Sequence, residues 1–107
     1  MLYRPLGRTG GKVSVLGFGC MRLPVIDGQR DHIDIPLATR MVEYAIEHGV
    51  NYFDTAYPYH AGSSGGPGAS EFFVGEVLRG HRDRVLIATK LPHWIVQSRQ
   101  DMDSILA

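Results

Sequence analysis

The sequence predicts an α/β fold: an N-terminal β-hairpin followed by three strand–helix units that share one parallel sheet. Three observations carry this. Apolar residues recur at helical spacing in three segments, a short apolar run precedes each, and the breaks between them fall at glycines and capping residues. Strands alternating with helices in this way build parallel sheets, either open or closed into a barrel. The expected units are a hairpin over residues 2–15 and strand–helix pairs over 15–48, 50–80 and 85–107.

The hairpin rests on Gly7 to Gly11, GRTGG, where glycines supply the positive φ of a tight reversal between arms at 2–6 and 12–15. Val15, Leu16 and Phe18 read as a short buried strand ending near Gly19, and Pro24 and Gly28 break the loop that follows. Asp34 is a good N-cap, Pro36 fits a first turn, and Leu37, Met41, Val42, Ala45 and Ile46 mark one helical face that stops at Gly49. Val50 to Phe53 forms the next strand, with Asp54 at its carboxyl end. The stretch from His60 to Ala69 is rich enough in glycine to suggest a mobile flap. Ser70 is expected to cap a second helix packed through Phe73, Val74, Val77 and Leu78 and closed by Gly80. Val85 to Thr89 reads as a strand buried on both faces, and Ser98 as the cap of a third helix carrying Met102, Ile105 and Leu106.

At 107 residues the chain is at most one small domain, and a chain of that size can bury roughly two thirds of its unfolded surface. Eleven basic residues balance eleven acidic ones, which leaves no net field to attract nucleic acid or an anionic membrane. No apolar run approaches the about twenty residues of a membrane span, and the opening MLYRPLGRTG lacks a signal-peptide core, so the expected address is the cytoplasm. The single cysteine, Cys20, can close no internal disulfide and hold no iron–sulfur cluster by itself, and no metal site is expected.

In both open α/β sheets and barrels, functional groups gather at the carboxyl ends of the strands. Asp54 and Tyr59 in FDTAYPYH and Lys90 in IATKL fall there, as do Cys20 to Arg22. A phenol is a weak acid, with an ordinary pKa of about 10. A neighbouring ammonium stabilises its anion, and a carboxylate keeps that ammonium charged and aimed. Tyr59 beside Lys90, with Asp54 holding Lys90, would therefore form a general acid for the oxygen of a carbonyl receiving hydride. Hydride requires a nicotinamide or flavin, since no side chain supplies it. A Rossmann fingerprint is absent: Gly17 and Gly19 begin a GxG, but Arg22 stands where the third glycine belongs, and GSSGGPG lacks the Gly-Lys-Ser/Thr of a P-loop.

The stretches LGRTG, VSVLGFGCMRLP, AIEHGVNYFDTAYPYH, SEFFVGEVLRG and RVLIATKLP together resemble the aldo-keto reductases, and most resemble a bacterial branch that often carries a C-terminal ferredoxin-like iron–sulfur module. The resemblance implies the N-terminal portion of a (β/α)8 TIM barrel whose floor is plugged by the hairpin, and an NADPH-dependent reductase of small aldehydes or ketones. It assigns catalytic roles to Asp54, Tyr59 and Lys90, and a cofactor-bordering role to Cys20, Met21, Arg22 and Asp54. The family's fourth catalytic residue, a His ending the fourth strand, matches none of the five histidines here, and the family's NADP-binding loops from the last strands also have no counterpart, so the chain alone is expected to be inactive. Relative to the family pattern, extra residues lie around Ser63 to Gly68.

Two other readings compete. Three strands with open edges would suit a non-catalytic fragment or self-associating module, and Lys90 could serve as the amine of a Schiff-base lyase, although Asp54 would keep it protonated. Of the remaining candidates, His60 and His93 read as exposed loop histidines within reach of a substrate, Trp94 as a packing aromatic and Cys20 as a small buried hydrophobe.

Overall fold

The computed structural model describes all 107 residues. Strands β1 (Tyr3–Pro5) and β2 (Lys12–Ser14) form the antiparallel hairpin, and β3 (Phe18–Gly19), β4 (Tyr52–Asp54) and β5 (Leu86–Ala88) form a parallel sheet in that order. Helix α1 (Ile35–Glu47) links β3 to β4, α2 (Ala69–Val77) links β4 to β5, and α3 (Arg99–Leu106) follows β5. Side chains alternate across a strand. In β4 this sends Phe53 into the core with Ala38 and Val42 of α1 and Phe73 and Val74 of α2, while Tyr52 and Asp54 stay half-buried on the other face. No helix is long and apolar enough to cross a membrane.

Local chemistry explains the helix ends. The Asp34 carboxylate accepts the Leu37 N–H at 3.1 Å and Pro36 occupies the first turn of α1. After the helix, Gly49 takes φ +93°, and a Cβ there would come within 2.8 Å of both Met1 and the Tyr3 hydroxyl, which donates to the Gly49 carbonyl. Ser98 and Asp101 form a reciprocal capping box on α3. The Asp101 carboxylate accepts the backbone N–H groups of Gln97 and Ser98, and hydrogen bonding from Gln97 first and Ser98 second holds its carboxyl below the usual range.

Several expectations are corrected. Val15 and Leu16 are exposed, not part of a buried strand. They lie where the chain crosses from hairpin to sheet, a crossing fixed by Asn51: its side chain accepts the Ser14 N–H and donates to the Lys12 carbonyl, and its N–H bonds the Ser14 hydroxyl. The buried stripe of α1 is Ala38 and Val42, and Leu37 and Met41 are exposed. Strand β5 is shorter than Val85 to Thr89 and is not buried on both faces, since Leu86 is exposed and Ile87 and Ala88 are only half-buried. Gly68, not Ser70, stands at the start of α2, and a 3-10 turn over Arg79–His81 follows that helix, so Gly80 lies within the turn. Trp94 does not pack into the core; it is exposed, edge-on to His93.

Phe53 is fully buried, its ring 5.5 Å from that of Phe18. Truncation to Ala costs about 3–5 kcal/mol in comparable cores, close to the whole stability of a small domain. Phe53→Ala is therefore expected to abolish the cooperative thermal transition followed by circular dichroism, whereas Phe53→Leu should lower its midpoint and preserve its shape.

Candidate active site

The sheet register sets the site. Gly19 pairs with Asp54, and Asp54 with Ala88, so the three strands end level. The ladder runs one bond further on each side, with Cys20 N–H donating to the Asp54 carbonyl and Thr55 N–H to the Ala88 carbonyl, both at 2.8 Å. Lys90, two residues past β5, thereby reaches back over β4: its Nζ donates to Asp54 Oδ1 at 2.7 Å and to the Thr55 carbonyl at 2.9 Å. The same Nζ lies over the face of Tyr59, 4.9 Å from the ring centroid. The structure thus brings Asp54, Tyr59 and Lys90 together at one rim.

Burial is the largest single influence and acts to lower the Lys90 pKa, but the hydrogen bonding and charge of Asp54 and Tyr59 together outweigh it, and the ammonium is held above its ordinary 10.5. A raised lysine pKa means that the ammonium's contribution is fully present at neutral pH and is lost only as pH climbs through that raised value. With both side chains 40–50% exposed (49% and 42%), the pair adds little to stability. Its effect is orientation: a charged amine with two of its three protons committed, fixed over an aromatic ring.

The loop after β3 contributes unevenly. Met21 and Arg22 are exposed at the rim, but the Cys20 side chain is completely buried, so its thiol offers no surface to a bound cofactor. Burial, followed by the Asp54 charge, pushes that thiol up to about 11, which leaves it protonated and unreactive at neutral pH. Beneath it runs a buried chain of hydroxyls that sequence reasoning missed. Ser70 Oγ donates to the Cys20 carbonyl at 3.2 Å, leaving the Thr55 hydroxyl to donate to Ser70 Oγ at 2.9 Å. Ser70 therefore ties α2 to the ends of β3 and β4.

His93 is exposed, as expected, but His60 is not: it is 5% exposed and hydrogen-bonded through both ring nitrogens. The glycine-rich stretch that follows it is also anchored at its base, against the expectation of a free flap. Gly68 N–H donates to the Tyr57 carbonyl at 2.7 Å, Ala69 N–H to that of His60 and Ser70 N–H to that of Tyr59. This approach needs a glycine, because a Cβ at position 68 would stand 1.8 Å from the Tyr59 carbonyl oxygen. The roomiest apolar hollow lies elsewhere, between the free edge of β3 and α1 along Leu16, Phe18, Met41 and Tyr44, and none of the rim residues line it.

The match of known proteins follows the same residues. The model of the Aldo/keto reductase family matches residues 15–104. The chain belongs to the aldo-keto reductase family. A 6-dehydroglucose reductase from Novosphingobium aromaticivorans is 36% identical over 91 residues, covering 82% of this chain and 28% of that protein. A probable aldo-keto reductase from Glycine max is 37% identical over 86 residues, or 79% of this chain and 22% of the relative. Among solved structures, an aldo-keto reductase from Bacillus halodurans in its holo form superposes with a TM-score of 0.67 at 38% identity, covering 85% of this chain and 26% of that one. Another assigned to the family from Pseudomonas aeruginosa gives a TM-score of 0.64 at 36% identity, covering 84% and 31%. The chain therefore spans about a fifth to a third of the length of these aldo-keto reductases, and its strand–helix units correspond to part of their TIM barrel.

Gly68→Ala is expected to force Tyr59 and the start of α2 apart. In this aldo-keto reductase chain the nuclear Overhauser contact between the Tyr59 ring and the Lys90 side chain should then weaken or vanish while the far-ultraviolet circular dichroism is retained.

Proposed function

We propose that this chain is the N-terminal portion, residues 1–107, of an NADPH-dependent reductase of small aldehydes or ketones, and that it is inactive by itself. The observation that carries the reading is the Lys90 ammonium held 2.7 Å from Asp54 and over the ring of Tyr59. In this reading Tyr59 protonates the carbonyl oxygen, Lys90 stabilises the negative charge left on the phenol, and Asp54 keeps Lys90 charged and in place. NADPH, when bound, supplies the hydride. The exposed Met21 and Arg22 beside Asp54 fit its nicotinamide end, with Cys20 contributing only the backbone that spaces them. Cytoplasmic residence fits a reaction that draws on NADPH. The branch with an iron–sulfur module remains part of the proposal through sequence resemblance alone.

The raised Lys90 pKa and its bond to Asp54 weigh against a Schiff-base lyase, which needs a neutral amine. Self-association has one observation in its favour: β3 and β5 each pair on one side only, with Leu16, Tyr44 and Phe72 exposed. An elution volume on size-exclusion chromatography that moves to larger size with increasing concentration is expected; a monomer at every dilution removes that role.

The purified chain is expected to show no carbonyl-dependent oxidation of NADPH above background. If the reading frame continues into a further strand ending in His, the longer product should turn over, and Tyr59→Phe in it should lower kcat by about 10²–10⁴-fold, the usual worth of a positioned proton donor. Turnover by the 107-residue chain itself, abolished by Tyr59→Phe, would overturn the proposed inactivity.

A further inference from the structure

The residue after the proposed acid is the buried His60, held at φ +61° in the left-handed region that non-glycine residues seldom occupy. Its Nε2 accepts the Leu23 N–H at 3.0 Å, which requires that nitrogen to be bare. The proton must then sit on Nδ1, which donates to the Arg30 carbonyl at 2.6 Å. One ring thus joins two points, Leu23 and Arg30, of the long loop between β3 and α1 to the segment that carries Tyr59. From the opposite side, Gly68, Ala69 and Ser70 bond the carbonyls of Tyr57, His60 and Tyr59. Tyr59 therefore sits on a backbone pinned from both flanks, and His60 is the side chain that pins it to the first rim loop. The same ring forms part of the wall of a hollow of about 430 Å3, otherwise lined by Met21, Arg22, Leu23, Val25 and Arg30.

We propose that His60 is a positioning residue: in its Nδ1–H tautomer it clips the Leu23–Arg30 loop to the Tyr59 segment and so fixes the phenol against Lys90. The proposal rests on the reading of Tyr59 as the acid for its functional meaning, but the clip itself stands on geometry. Space-filling alone would be met by any side chain of similar volume. The clip requires an acceptor facing the Leu23 N–H, which Gln can present and Met cannot.

Nuclear magnetic resonance on the isotope-labelled chain separates these. Long-range proton–nitrogen correlation of the unmodified chain should find the His60 proton on Nδ1 and a bare Nε2; a proton on Nε2 overturns the proposal without any variant having to fold. In His60→Met the Leu23 amide should exchange about tenfold faster, as a lost buried hydrogen bond implies, and the Overhauser contact between Tyr59 and Lys90 should disappear. His60→Gln should restore both. Equal behaviour of the Met and Gln variants overturns the clip, whereas failure of the reductase reading would appear only as a longer product, extended through a further strand ending in His, that does not oxidise NADPH, and would leave these signals unchanged.

Discussion

The register of the parallel sheet is the constraint on which the rest depends. Gly19, Asp54 and Ala88 stand level, so the residues that leave the three strands enter the same small volume. A slip of one residue in β4 would turn Phe53 out of the core and Asp54 into it. The apolar burial of Phe53 and the placement of the Asp54 carboxylate are therefore one structural decision. The half-exposed ion pair with Lys90 adds aim but little energy to what the core has already set.

A division of labour between the two ends of the strands follows. Asn51 clamps the hairpin to the entrance of β4 through three hydrogen bonds. Lys90, Tyr59, Ser70 and His60 bind together the segments at the exit. Neither set shares a residue with the other. The polar groups at the exit are satisfied by one another and by backbone, and no buried side-chain polar atom lacks a partner, which makes the rim a defined arrangement of donors and acceptors.

Much of this was legible in the sequence, for identifiable reasons. Helix α1 announces itself through Asp34, Pro36 and Gly49, each with a local role that needs no tertiary context. Ser98 and Asp101 do the same for α3. The spacing of Asp54 and Tyr59 and the position of Lys90 at a strand end pointed to one rim, and the geometry brings them there. What escaped notice depended on partners distant in the chain. Ser70 has the chemistry of a cap, but its hydroxyl is drawn to the Cys20 carbonyl fifty positions earlier. His60 looks like any polar residue in a glycine-rich loop until Leu23 and Arg30 fold over it. Leu37, Met41 and Leu86 carry the hydrophobicity of core positions without neighbours to cover them, and periodicity alone cannot tell which flank a second layer will occupy.

The close approach of Gly68 to Tyr59 has a consequence for how this rim can diversify. Because the two ends of the glycine-rich stretch are already zipped together at their base, the exposed residues between them form a bight whose length is uncoupled from the phenol at its root. Residues can be gained or lost there at small entropic expense, reshaping what borders the opening while the acid–amine–carboxylate geometry stays put.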